Sequence, residues 1–163
     1  MFIGIRRRMP PARRAVNYGG AVTCTRVLVP LMTGGGSVVN ITSVNGHRQL
    51  PLHDYAPAKA ALEAATRLAA GELGGRGVRV NAVAPGFTAT DELTARAASG
   101  ERDISVIERS SALGRLVRPG EVAAVVAFLM SAEASAITGA SIPVDCGWLA
   151  TSHWMDFGDR LRS

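Results

Sequence analysis

Tyr55 and Lys59 stand four residues apart in "DYAPAKAAL" (Asp54–Leu62), and Lys59 is the only lysine in a chain whose other seventeen basic residues are arginines. On a helix, residues four apart share a face, with side-chain roots about 5–6 Å from each other. That pairing has a chemical use. A free tyrosine titrates near pH ~10 and is a poor proton carrier at neutral pH, whereas a nearby ammonium favours the phenolate. Lysine brings a compact charge with three rotatable donors, able to hold a sugar hydroxyl while it biases the phenol; the fixed fork of arginine matches carboxylates and phosphates instead. The same spacing also arises as an ordinary helix-surface pair, and scarce lysine follows equally from codon usage. Ser43, twelve residues before Tyr55, adds a hydroxyl suited to a carbonyl oxygen that gains negative charge. Serine at a strand end is also a common turn former.

These groups need elements to hold them. "SVVNITS", Ser37 to Ser43, is rich in β-branched residues and is bounded by Gly34–Gly36 and by Asn45-Gly46, which predicts a short buried strand ending at Ser43. Asp54 is the expected N-cap of a helix dense in alanine and leucine that runs to about Leu73 and closes at Gly74-Gly75. "VRVNAVAP", Val78 to Pro85, and "ASIPVDCG", Ala140 to Gly147, read as two further apolar strands. Helices are expected from Arg13 to about Met32, weakened by Gly19-Gly20, and from Pro119 onward. One or two short helices are expected between Phe87 and Leu116, and no pattern after Trp148. Short apolar strands alternating with helices predict an α/β fold: a partial Rossmann-like, doubly wound parallel sheet of about three strands with flanking helices.

Composition narrows the class. With 47% hydrophobic and 19% charged residues, the chain is globular in type and not disordered. The longest apolar run, Val122 to Met130, is nine residues, against about 20 for a membrane-spanning helix. No membrane span or secretory leader is expected, and a cytoplasmic location follows as the default. Cys24 and Cys146 fit neither a disulfide framework nor a metal site, and both are expected to be buried small hydrophobes. The net charge of +5 is uneven: residues 1 to 53 hold seven arginines and no acid, while the rest holds eleven bases against thirteen acids. Five of those arginines lie in residues 1–14, an arm expected to be unstructured around Pro10-Pro11. Contact of this arm with nucleic acid or another polyanion is a minor reading, since no nucleic-acid module accompanies it.

Taken together, "VVNITSVNG" and "YAPAK", with Ser43 of the first twelve residues before Tyr55 of the second, resemble the active-site signature of the short-chain dehydrogenase/reductase family. "AVNYGGAVTCTRVLVPLM" is similar to that family's fourth helix, "RVNAVAPGFTAT" to its sixth strand and following turn, and "GRLVRPGEVAAVVAFLMSAEASAITGASIPVDCG" to its closing segment. The resemblance covers residues 15–150 and leaves a tail at 151–163. It implies hydride transfer between NAD or NADP and a small carbonyl or alcohol substrate, in a homo-oligomer built from the helices at residues 15–32 and 55–73. Tyr55 would be the acid/base and Lys59 its partner and ribose ligand, with Ser43 polarising the carbonyl. Asn17 would anchor a relay water; its bland alternative is a residue that kinks or caps its helix. Pro85, Gly86, Thr88 and Thr90 would border the nicotinamide, the last two through a backbone group and a hydroxyl, and Asp91 to Ser111 would cover the substrate. No metal is implied.

The sequence also departs from the family. A glycine-rich turn between a strand and a helix, which cradles the cofactor pyrophosphate, is absent. The only glycine cluster, Gly34–Gly36, precedes a strand. The chain is therefore expected to be a C-terminal portion whose first strand lacks a neighbour, an edge that invites association. A non-catalytic remnant serving as an interaction module is the alternative function. Cysteine at position 146 stands where the family commonly has glycine.

Overall fold

A computed structural model of the chain describes residues 15–153; the expected basic arm at 1–14 and the tail from 154 onward lie outside the described residues. Three parallel strands, β1 (Gly36–Ile41), β2 (Val78–Pro85) and β3 (Ser141–Val144), lie in the order β1-β2-β3. Val38 pairs with Val80, Ile41 with Val83, and Ala82 with Ser141. The expected α/β class and partial Rossmann-like sheet are the observed ones.

The central strand explains the layering. Successive side chains of a strand point to opposite faces. Val78 and Val80 pack with Ala70 of helix α3 (Tyr55–Leu73), while Val83 packs with Leu129 of helix α6 (Pro119–Met130). β2 is apolar on both sides because both sides are covered. Helix α3 offers Lys59, Leu62, Glu63, Thr66 and Ala70 as one buried stripe at helical spacing.

Polar pins fix the connections. Arg79 of β2 donates to the Leu129 carbonyl at 2.8 Å and the Ser131 carbonyl at 3.0 Å, satisfying the C-terminal end of α6. At the other end of α6, the Glu121 carboxylate accepts from the Arg118 N–H at 2.8 Å and grips Arg115 through two bonds of 2.8 and 2.9 Å. Pro119 takes the first helical position, where its missing N–H is harmless.

The remaining α-helices are α1 (Ala21–Leu28), α2 (Val44–His47), α4 (Asp91–Ala98), α5 (Ser105–Ser110) and α7 (Trp148–Thr151). Several differ from the sequence expectations. The helix leading to Met32 is composite: a π-helical turn at Ala15–Gly20, then α1, then a 3-10 turn at Val29–Leu31. The wide turn ends at the Gly19-Gly20 pair that weakened the helical pattern. β1 stops at Ile41, two residues before the strand end expected at Ser43, which instead caps the short helix α2. Asp54 precedes α3 without a capping side-chain bond. α7 crosses the boundary where the tail was expected to begin. Cys24 is exposed and Cys146 half-buried, so neither is the buried hydrophobe expected. No described helix is long and apolar enough to cross a membrane.

Candidate active site

The C-terminal ends of β1 and β2, where ligands bind in open parallel sheets, carry most of the candidate residues. Beyond β1, Thr42 stays beside β2 by donating its N–H and its hydroxyl to the Val83 carbonyl at 2.8 and 3.1 Å. The chain then turns at Ser43, whose extended backbone and buried side chain cap α2. Ser43 Oγ accepts from the Asn45 N–H at 3.2 Å and from Asn45 Nδ2 at 3.4 Å.

The same turn seats against α3. A Cβ on Gly46 would lie 3.2 Å from the Ala60 nitrogen and from the Lys59 carbonyl carbon, so glycine lets α2 approach the helix backbone beside Lys59. His47 Nε2 contacts Glu63 Oε1 at 2.9 Å, and the Ser141 hydroxyl donates to the same oxygen at 3.3 Å, which joins α2, α3 and β3.

Tyr55 opens α3 and Lys59 follows one turn later. The Lys59 ammonium donates to the Ile41 carbonyl at 2.8 Å and lies 5.6 Å from the centre of the Tyr55 ring. Burial holds its pKa below the ordinary lysine value, because a desolvated ammonium is disfavoured. One bond to Ile41 leaves two of its three donors for other partners.

The far wall comes from β2 and the turn after it. Gly86 donates to the Val144 carbonyl at 2.9 Å, and a Cβ there would meet the Asp145 Cα at 2.8 Å, so only glycine fits without displacing backbone. Phe87 and Ala89 exchange backbone bonds with Val117 on either side of Thr88. The Thr90 hydroxyl caps α4 by accepting from the Leu93 N–H at 3.3 Å, which leaves its own O–H free to donate.

One cavity of about 320 Å³ is lined by Ser43, Tyr55 and Lys59 together with Pro85, Gly86, Thr88 and Thr90. Seven of the eight expected residues therefore meet. Asn17 does not share this cavity. It sits in the π-helical turn and lines an adjoining space of about 610 Å³, which has Ile41 and Lys59 in common with the first. Asn45 also lines the first cavity and was not foreseen; its only sequence signal was the Asn-Gly pair that bounded the expected strand. Among the described residues no group of three or more histidine, cysteine or carboxylate side chains is placed to hold a metal.

The residues present fit the nicotinamide end of a dinucleotide: a buried ammonium with two donors left, a free Thr90 O–H and the close Pro85-Gly86 turn converge on one cavity. Among the described residues no strand runs through a glycine-rich turn into a helix, so no residues are assigned to a pyrophosphate.

Comparison with known proteins follows the same lines. A family model described as enoyl-(acyl carrier protein) reductase matches residues 12–149. The short-chain reductase protein NovJ of Streptomyces niveus is 42% identical over 139 residues, covering 81% of this chain and 53% of NovJ. An oxidoreductase of the short-chain dehydrogenase/reductase family from Burkholderia thailandensis superposes with a TM-score of 0.86 at 31% identity, over 96% of this chain and 63% of that one. ElxO, solved with NADP bound, gives a TM-score of 0.78 at 31% identity, over 82% of this chain and 55% of its own. The chain thus spans between a quarter and about half the length of the curated relatives it matches.

Proposed function

The chain belongs to the short-chain dehydrogenase/reductase family, and from that premise we propose that its cavity serves reversible hydride transfer between NAD or NADP and a small carbonyl or alcohol substrate. The observation that carries this reading is the meeting of Ser43, Tyr55 and Lys59 at one cavity, with the ammonium 5.6 Å from the phenol ring. A nicotinamide dinucleotide supplies or takes up the hydride when it is bound.

The chain's own groups do the rest. Tyr55 passes a proton to or from the substrate oxygen. Ser43 donates to that oxygen and stabilises the charge it gains. Lys59, oriented by the Ile41 carbonyl, holds a ribose hydroxyl with its remaining donors and biases the phenol electrostatically. Asn17, in the adjoining space beyond Lys59, holds a water on the path by which the proton reaches solvent. Pro85, Gly86, the Thr88 backbone and the Thr90 hydroxyl border the nicotinamide. Leu93 of α4 reaches the cavity, which supports Asp91 to Ser111 as the cover over the substrate. Exposed Val27, Leu28 and Leu68 on α1 and α3 support a homo-oligomer formed through those helices.

Titration of the purified chain with NADH and NADPH, followed by nicotinamide fluorescence, tests the reading. Saturable binding is expected, with turnover of a carbonyl probe that Tyr55→Phe lowers at least ~100-fold while binding persists. No binding at millimolar cofactor would end the reading for this chain and leave the interaction-module alternative.

A further inference from the structure

We propose that Asn45 is a positioning residue that holds the Ser43 hydroxyl as a hydrogen-bond donor directed into the catalytic cavity. Its part in turnover rests on the hydride-transfer reading; the pairing with Ser43 does not.

The amide has a defined orientation. Asn45 is 8% exposed, and its Oδ1 accepts from the Leu50 N–H at 3.4 Å. A backbone N–H can only donate, so the carbonyl side of the amide must face Leu50 and the NH₂ side must face Ser43. Ser43 Oγ then receives two donors, the Asn45 N–H at 3.2 Å and Nδ2 at 3.4 Å.

A hydroxyl has two acceptor lone pairs and one O–H. With both lone pairs engaged by Asn45, the O–H is the one valence left, and among the described residues none accepts it. Ser43 is 5% exposed, so this donor sits in a shielded place beside a cavity that Asn45 itself lines. A buried donor without an acceptor is costly unless a ligand oxygen completes it. The arrangement serves a carbonyl oxygen whose charge grows in the transition state, because the donor is already oriented and needs no reorganisation. Apolar residues at position 45 would leave one lone pair open and the hydroxyl free to rotate.

Two experiments on the 163-residue chain decide the matter. The first needs no ligand: unfolding constants of wild type, Ser43→Ala, Asn45→Ala and the double variant form a cycle. Coupling of at least about twofold is expected, and additive effects overturn the pairing. Asn45→Ser closes the same cycle where Asn45→Ala does not fold.

The second uses cyclohexanone with NADH or NADPH as the probe. In Asn45→Asp the carboxylate accepts from the Ser43 hydroxyl and turns it away from the cavity. A kcat about 10–100-fold below wild type at pH 7 is expected, with KM nearly unchanged and activity returning as pH falls toward the carboxyl range near ~4. Equal losses in the Asp and Ala variants without that recovery overturn the positioning role. A wild-type chain that turns over no cyclohexanone counts against the hydride-transfer reading for this probe, while the unfolding cycle still decides the pairing.

Discussion

The Lys59 ammonium donates to the Ile41 carbonyl at 2.8 Å, tying the second turn of α3 to the last residue of β1. Burial lowers the pKa of this lysine from its ordinary 10.5. Between the lowered folded value and 10.5 the unfolded chain binds more protons than the folded one, so stability attributable to Lys59 rises with pH across that window. Lys59→Met keeps the chain length and removes the charge. The stability difference, wild type minus Lys59→Met, is expected to grow as pH rises from 7 toward ~10.5, the reverse of a favourable ion pair. Urea unfolding at a series of pH values reads it; a difference that shrinks with pH would show that the ammonium is stabilised where it stands.

Cys146 holds φ at +54°, the one described residue other than glycine with a positive value. The left-handed conformation costs an L-residue roughly 1–2 kcal/mol, a cost that glycine avoids while losing more chain entropy on folding. Cys146→Gly is therefore expected to stabilise the chain by up to about 1 kcal/mol, and Cys146→Val to destabilise it by at least that much. Denaturant midpoints measured side by side check both signs.

The Glu121 carboxyl is held down to about 2 from its ordinary 4.5 by its bonds to Arg115 and then to the Arg118 N–H. A depressed carboxyl contributes stability that is complete above its unfolded value and lost as pH falls through the folded one. The Glu121→Gln variant should thus be less stable than wild type at pH 7, and the two should converge between pH 4.5 and 2. Parallel curves across that range would mean that the carboxylate contributes nothing beyond its shape.

The unequal legibility of these features has a physical basis. β2 was readable to its end residues, Val78 and Pro85, because burial on both faces leaves an unbroken apolar run. α3 was readable because alanine-rich sequence and one apolar stripe agree on the same period. The end of β1 was not. Thr42 and Ser43 continue the strand-like composition, and only the pairing of Ile41 with Val83 determines where the ladder stops. Tyr55 and Lys59 were legible through their helical spacing, whereas the separation of Asn17 into another space depends on how the π-helical turn packs. Asn45 and the His47–Glu63 contact escaped notice because each depends on a turn lying flush against α3, which spacing along the chain does not encode.

Asn81 connects the core of β2 to the loop that delivers β3, and it does so from complete burial. Its Nδ2 donates to the Ile137 carbonyl at 2.8 Å and its Oδ1 accepts from the Ala140 N–H at 3.0 Å. These two bonds stand in for ladder contacts just before β3 begins at Ser141. Removing the amide strands the Ala140 N–H, worth about 1–3 kcal/mol, and leaves the Ile137 carbonyl with only the longer bond from Arg79 at 3.4 Å. Asn81→Ala is expected to cost about 2–5 kcal/mol, including the small cavity it opens. Asn81→Asp separates the two halves of the effect: it keeps an oxygen for Ala140 but sets a second one against the Ile137 carbonyl, so at pH 7 it should be at least as harmful as alanine. Its loss should shrink as the carboxyl protonates and can donate again. Hydrogen exchange at Ala140 reports the local half directly. Protection there should fall in Asn81→Ala by more than the global loss of stability requires, and a fall equal to the global one would show that Asn81 fills space without pinning the loop.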